Sequence, residues 1–108
     1  MKRTHYAGAF FAGMLLSNAV PHFIHGISGD PFPTPFADPP GKGLSSPTVN
    51  IGWAFANIVA GYGLFQRANV GRRLGSASAF LAGAATTGIA LSVFFTKKEK
   101  ESKVLRAA

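Results

Sequence analysis

The chain has 108 residues, which limits it to one domain that could bury only a small share of its surface as a water-soluble core. Charged residues make up 14% of the sequence, against roughly 25% in soluble domains, and the Lys and Arg residues behind the net charge of +7 stand beside apolar runs. Such placement suits lipid headgroups better than nucleic acid, and the absence of cysteine excludes disulfides, thiolate metal sites and a Cys nucleophile.

Three long segments without Asp, Glu, Lys or Arg determine the predicted architecture. Each contains about 20 mostly apolar residues, the length that an α-helix needs to cross about 30 Å of hydrocarbon. The predicted spans are residues 6–27, 47–66 and 74–95. A Pro-rich loop at 29–46 joins the first two helices, and a basic tail follows at 96–108. The sequence therefore predicts an all-α fold, a three-helix transmembrane bundle that forms a single integral membrane domain over residues 1–108.

The first span admits two alternatives. Ser17-Asn18-Ala19 carries small residues at the positions that a signal peptidase reads, although hydrophobic sequence continues to Ile27, which favours an uncleaved helix. Pro21 leaves the carbonyl of Ser17 without its helical donor, so we expect a kink there, and a re-entrant turn at Pro21 is the second alternative.

With three crossings the positive charges are nearly balanced between the two sides of the membrane. Because the first helix usually dominates orientation, we expect the N-terminus in the cytoplasm and the loop on the outer side of the membrane.

Polar residues at the end of the first span form a candidate site. Asn18, His22 and His25 are spaced i, i+4 and i+7, which puts them on one helical face at a depth where polar groups usually meet a partner, a cavity or a ligand. His22 and His25 are candidate metal ligands, because imidazole binds transition metals and titrates near neutral pH. Two histidines are too few for a dedicated metal site. Hydrogen bonds to water, to the loop or to the second helix are therefore the favoured interpretation, and no cofactor is assigned.

The loop combines prolines, which exclude helix and favour extended backbone, with two aromatic side chains. Phe32 and Phe36 are unusual in a solvated linker, so we expect them either at the membrane interface or folded back over the helix ends. Lys42 lies between two glycines but lacks the neighbours of a phosphate-binding loop, and it is interpreted as a turn or headgroup contact. These three residues are the predicted recognition surface of the loop.

Capping residues predict the boundaries of the second helix. Ser46 can accept from free N–H groups, and Pro47 at the first helical position loses no hydrogen bond that the helix needs. The helix should end near Arg67. A short connector over residues 68–73 then leads to the third span, which begins near Leu74.

The second helix also carries polar residues on one face. Asn50 and Asn57 are seven residues apart with small residues on the same face, and we expect them to pair with Asn18 or His22. Trp53 is either an interfacial anchor or a cover for this polar cluster.

Small residues recur at spacing four in all three predicted helices, a pattern that lets membrane helices approach closely. The three ridges are Ala9, Gly13 and Ser17; Gly52, Ala56 and Ala60; and Gly75, Ala79, Gly83 and Thr87. Together they predict a tight three-helix bundle or a homo-oligomer. Thr86 and Thr87 are expected to bond back to carbonyls of their own helix.

The segment NAVPHFIHGISGDPFPTPFADPPGKGLSSPTVNIGW, residues 18–53, resembles a group of small, uncharacterised bacterial inner-membrane proteins that carry an NAVPHF, PFPTPF and GLSSP pattern. The likeness covers about the first half of the chain and implies a bacterial integral membrane protein. It carries over no catalytic or binding residues. The motif positions are Asn18, Pro21, His22, Phe23, Pro35, Phe36 and Asn50.

The chemistry-bearing residues favour binding over catalysis. No paired carboxylates lie within a span, and no Ser, His and acid arrangement has a catalytic spacing, so the sequence does not support an enzyme. Our leading hypothesis is a non-enzymatic binding or accessory subunit whose partners are membrane lipids and either another membrane protein or a second copy of the chain. The candidate ligand-binding residues are Asn18, His22, His25, Asn50, Trp53 and Asn57. The alternative is an oligomeric transporter-like protein, or a metal or redox site, centred on the histidine-containing end of the first helix.

Overall fold

The computed structural model describes the backbone of residues 3–107 and the side chains of residues 5–98 and Val104. Within this part of the chain there are three α-helices. They are α1 (Arg3–Ile27), α2 (Pro47–Arg67) and α3 (Leu74–Ala107). The all-helical prediction is confirmed, and the helices coincide with the predicted spans except that α3 continues through most of the basic tail. The chain does not turn back at Pro21, because α1 is helical through that residue to Ile27.

The start of α2 follows the predicted capping pattern. The Ser46 side chain accepts a hydrogen bond from the backbone N–H of Val49 at 3.2 Å, and Pro47 occupies the first turn. At the other end, Asn69 has a φ of +54°, and its carbonyl accepts from the N–H groups of Arg72 and Arg73. This turn reverses the chain in a few residues and positions α3 beside α1.

We expect Ser46→Ala to lower the free energy of unfolding by about 1 kcal/mol, because one N–H group at the start of α2 loses its acceptor. Thr48→Ala is the matched control, since Thr48 is an exposed residue of the same turn that does not cap the helix. Both variants are compared by denaturant-induced unfolding in mild detergent. Equal stability of the two variants would contradict the assigned cap.

Helix α1 lies between the other two helices and packs on both. It runs antiparallel to α2, so that Gly26 faces Ile51 near one end of the pair and Leu16 packs against Gly61 further along. It runs parallel to α3, with Tyr6 against Gly75 near the start of both helices. Almost all tertiary packing among the helices therefore passes through α1.

The closest helix contact joins α1 to α3 along two of the predicted small-residue ridges. A Cβ added at Gly83 would overlap the carbonyl oxygen of Phe10 and lie 2.8 Å from its carbonyl carbon. A Cβ at Gly13 would overlap the carbonyl oxygen of Phe80 and lie 2.7 Å from the backbone nitrogen of Ala84. The backbones touch here because neither glycine has a side chain, which is how small residues hold helices together in lipid.

The third predicted ridge behaves differently. The residues Gly52, Ala56 and Ala60 are exposed, and no atom of another element lies within 4 Å of a Cβ added at Gly52. The face of α2 that packs into the bundle instead consists of Asn50, Ala54, Asn57 and Gly61, the residues of the predicted amide face. The rotation of α2 about its own axis therefore follows the hydrogen bonds of its amides and not the packing of its small-residue ridge.

The two threonines of α3 also differ from each other. The Thr86 hydroxyl donates to the carbonyl of Ala82 at 2.7 Å, as predicted. The prediction is wrong for Thr87, whose hydroxyl is buried with no hydrogen-bond partner. Thr87 belongs to the ridge that is turned into the bundle.

Two helices are long and apolar enough to cross a membrane: His5–Ile27 of α1 and Leu74–Lys98 of α3. Much of their apolar surface is not covered by the rest of the protein. Large side chains such as Phe11, Leu81 and Ile89 are more than half exposed. Helix α2, with 21 residues, is long enough to cross a membrane, but its mean hydropathy is lower than that of these two segments.

Candidate functional site

Two side-chain pairs join α1 to α2 at the end of the bundle nearest the loop. His22 Nδ1 lies 2.6 Å from the Oδ1 atom of Asn50, and Asn18 donates from Nδ2 to Oδ1 of Asn57 at 3.3 Å. Asn50 and Asn57 thus pair with His22 and Asn18 as expected, and the structure determines which residue pairs with which. His22 and Asn50 are each no more than 5% exposed, so their hydrogen bond is buried, whereas the bond of Asn18 to the buried Asn57 is partly buried.

Asn50 also attaches the Pro-rich loop to α2. It is completely buried, and its Nδ2 atom donates to the carbonyl oxygens of Phe32, Ser45 and Ser46 at 3.0, 3.2 and 3.1 Å. One side chain therefore connects α1, the start of α2 and both ends of the loop. A buried amide at this position has its donors and its acceptor all in use.

The loop itself closes like a short hairpin. Backbone hydrogen bonds run in both directions between Phe32 and Ser45, at 3.2 and 3.0 Å. Above this bridge, the buried hydroxyls of Thr34 and Ser45 lie 2.5 Å apart, and Thr34 Oγ1 accepts from the N–H of Phe36. Gly41 has a φ of +74°, a left-handed conformation that favours glycine where the chain turns back. The loop is thus folded rather than extended into solvent.

Aromatic rings pack the loop onto the helix ends. Phe32 stacks on the ring of His25 with centroids 4.1 Å apart, and it also contacts Phe95 of α3 at 4.9 Å. Phe36 meets Trp53 edge-on at 5.1 Å, and Trp53 in turn packs against His22 at 6.5 Å. Both loop phenylalanines therefore fold back over the helices, and Trp53 covers the polar cluster.

A cavity of about 380 Å³ lies between the folded loop and the three helices. Its lining comes from every element at this end of the protein: Asn18, His22, Phe32, Pro33, Thr34, Pro35, Pro40, Gly41, Lys42, Trp53, Leu91, Phe94 and Phe95. Most of these side chains are apolar, and the polar ones from the helices are Asn18 and His22. A mostly apolar cavity with a few convergent polar groups is the usual form of a small-ligand site.

The predicted site residues divide into two groups around this cavity. Asn18, His22, Trp53, Phe32 and Lys42 line it. The other four contact residues of the lining. Asn50 and Asn57 hydrogen-bond to His22 and Asn18, whereas His25 stacks on Phe32 and Phe36 contacts Trp53. The structure therefore brings all the predicted residues together, either in the cavity lining or in contact with it.

The two histidines of the site both contact the same aromatic ring. Phe32 contacts both His22, with centroids 5.2 Å apart, and His25. Among the side chains that the structure describes, no group of three or more His, Cys, Asp or Glu residues is placed to hold a metal ion. His25 Nδ1 is buried without a hydrogen-bond partner.

Several cavity residues escape prediction from sequence. Leu91, Phe94 and Phe95 form the α3 wall, but they belong to a charge-free segment whose scattered Ser and Thr residues do not mark this face. The buried Thr34 and Ser45 pair is signalled only by its place in the PFPTPF and GLSSP motifs, which give no indication that two hydroxyls meet.

A second contact attaches α3 to the loop. The Lys98 ammonium donates to the carbonyl oxygen of Lys42 at 3.1 Å, and the Lys42 backbone N–H bonds to the carbonyl of Pro39 within the loop. Lys42 is therefore part of a turn, and its side chain lines the cavity. Lys42 and Lys98 therefore lie close together at the rim of the cavity.

Comparisons with protein-family models, with curated proteins and with solved structures found no match to this chain.

Proposed function

We propose that this chain is a non-enzymatic integral membrane protein that serves as a binding or accessory subunit of a membrane assembly. Its recognition surface consists of the Pro-rich loop and the cavity beneath it. The observation that carries the proposal is the 380 Å³ cavity, whose lining residues His22 and Phe32 are held in place by hydrogen bonds to the buried Asn50, a residue outside the lining. Such a preformed, mostly apolar cavity is suited to taking up an apolar group.

The proposal places all three helices in the membrane. Helix α2 is less apolar than the others because of its amides, yet Asn50 and Asn57 are buried against α1. The outward side of α2 carries Phe55, Val59 and Tyr62, which are all more than half exposed. Polar groups turned inward and apolar groups turned outward are what a lipid-exposed helix requires.

The proposed location is the inner membrane of a bacterium, with the N-terminus in the cytoplasm and the loop in the periplasm. This location rests on the likeness of the NAVPHF, PFPTPF and GLSSP pattern to bacterial inner-membrane proteins and on the usual dominance of the first helix in orientation.

Site-specific photocrosslinking in native membranes tests the recognition surface. A photoreactive benzoylphenylalanine replaces either Phe36, which is 68% exposed on the loop, or Leu74, which is 85% exposed at the opposite end of the bundle. We expect one discrete product at position 36 and none of the same mass at position 74. Mass spectrometry of wild-type protein extracted in mild detergent should then identify the same partner, or a second copy of the chain, in stoichiometric amount.

Two results would contradict the proposal. One is a wild-type protein that leaves the membrane as a monomer with neither a bound protein nor a bound small molecule. The other is a stoichiometric metal, found by elemental analysis, that disappears in His22→Ala and His25→Ala, since this would establish the metal-site alternative.

A further inference from the structure

The residues that hydrogen-bond to the cavity lining determine which polar atoms of that lining remain available to a ligand. Asn50 directs its Nδ2 atom at three carbonyl oxygens, which fixes the orientation of the amide, because the reversed amide would bring oxygen against oxygen. Its Oδ1 atom, 2.6 Å from His22 Nδ1, can only accept. The His22 ring must therefore carry its proton on Nδ1, and in the neutral ring Nε2 is left as an acceptor.

A second amide fixes Asn18 in the same way. Asn57 donates from Nδ2 to the carbonyl of Trp53 at 2.8 Å, so its Oδ1 is the atom that accepts from Asn18 Nδ2. Asn18 then has its own Oδ1 available, together with one remaining N–H. Because His22 and Asn18 both line the cavity, its helix side offers two acceptors, His22 Nε2 and Asn18 Oδ1. The donors on this side are the remaining N–H of Asn18 and the indole N–H of Trp53.

This pattern selects among the groups that a membrane can supply. An acyl chain would leave both acceptors unpaired in an apolar space, which is unfavourable. A carboxylate or phosphate could pair with the Lys42 ammonium at the rim, but at the helix side it would bring further acceptors against His22 and Asn18. A hydroxyl group donates its one proton to one of these acceptors, and its oxygen can accept from a neighbouring N–H group. A planar ring suits walls formed by Phe32, Trp53 and Phe95.

We infer that the cavity binds the hydroxyl-bearing aromatic ring of a membrane amphiphile, of the hydroquinone type, whose O–H donates to Nε2 of His22. A volume of about 380 Å³ accommodates one ring and its substituents, while the apolar chain extends past the exposed side chains of α3 into lipid. The inference concerns binding only, and it rests on the proposed function because it names the occupant of the same recognition surface.

Trp53 makes the inference measurable. It is the single tryptophan of the chain and lines the cavity, so a bound ring should quench its fluorescence. The protein in detergent is titrated under argon with a decyl-substituted benzohydroquinone and, separately, with the dimethyl ether of the same compound, which has the same ring and chain but no O–H donor. We expect the hydroquinone to bind about tenfold more tightly than the ether, because only the hydroquinone pairs the buried acceptor.

Matched histidine variants assign this preference to His22. We expect His22→Leu to bind the hydroquinone about tenfold more weakly and to bind the two compounds equally. His5→Leu changes the same residue type on the same helix, but His5 does not line this cavity, so the preference should be unchanged. Circular dichroism and gel filtration verify that each variant is folded.

Three results would overturn the inference: equal affinity of wild-type protein for both compounds, no quenching by either, or an unchanged preference in folded His22→Leu. None of them bears on whether a protein partner crosslinks at position 36. The ligand class and the proposed function can therefore fail separately.

Discussion

Gly83→Ala should lower the free energy of unfolding by about 2–3 kcal/mol, because an added methyl group has no space at the crossing of α1 and α3. The obstacle is the backbone carbonyl of Phe10, which cannot move aside as a flexible side chain could. The helices must therefore separate along their closest contact. Denaturant-induced unfolding in mild detergent, followed by circular dichroism, measures the loss.

Gly88→Ala is the matched control on the same helix. Gly88 is exposed, and an added Cβ meets nothing within 4 Å. Replacing it should leave stability unchanged or raise it by about 0.5–1 kcal/mol, since alanine favours helix over glycine. If the two alanine variants were equally stable, the close approach of α1 and α3 at Gly83 would be refuted.

The second large effect is expected at Asn50. Asn50→Leu should cost roughly 3 kcal/mol of stability, because His22 Nδ1 loses the hydrogen-bond partner that the buried amide provides. The carbonyls of Phe32, Ser45 and Ser46 each keep a backbone donor but lose their attachment to the side chain. The loop should consequently loosen, which Trp53 fluorescence and susceptibility to proteolysis both report.

Two leucine variants calibrate this result. Asn57→Leu removes two hydrogen bonds rather than four and should cost about 1 kcal/mol. Gln66→Leu removes an exposed bond to the Tyr62 hydroxyl and should change stability by less than about 0.5 kcal/mol. A stability loss at Asn50 no larger than that at Gln66 would show that the buried amide does not hold the loop.

Sequence patterns predict the helices of this protein well because charge-free runs and caps act locally. The positions of the three helices, apart from the end of α3, and the Ser46 cap are of this kind. The pairing of Asn50 and Asn57 with polar residues of the first helix also follows from spacing, since buried polar groups need hydrogen-bond partners. Only the structure shows that His22 pairs with Asn50 and Asn18 with Asn57.

The remaining features depend on how each helix is rotated, which local patterns do not determine. Small-residue ridges on all three helices qualify equally as contact surfaces, and only the three-dimensional packing shows that the ridge containing Ala56 faces outward. For the same reason the α3 wall of the cavity, with Phe95, cannot be selected from a charge-free segment whose few Ser and Thr residues do not mark that face. Thr87 shows the same dependence on helix rotation. Because this residue is turned into the bundle, its hydroxyl has no hydrogen-bond partner.

The central position of α1 determines the order in which the cavity can be completed. During synthesis the N-terminal parts of a chain emerge first. The hairpin of α1 and α2, with the intervening loop fastened by Asn50, can therefore assemble before α3 has left the ribosome. The cavity lacks Leu91, Phe94 and Phe95 until that last helix docks against α1. A newly made chain consequently gains the complete lining of this cavity only after α3 has packed against α1.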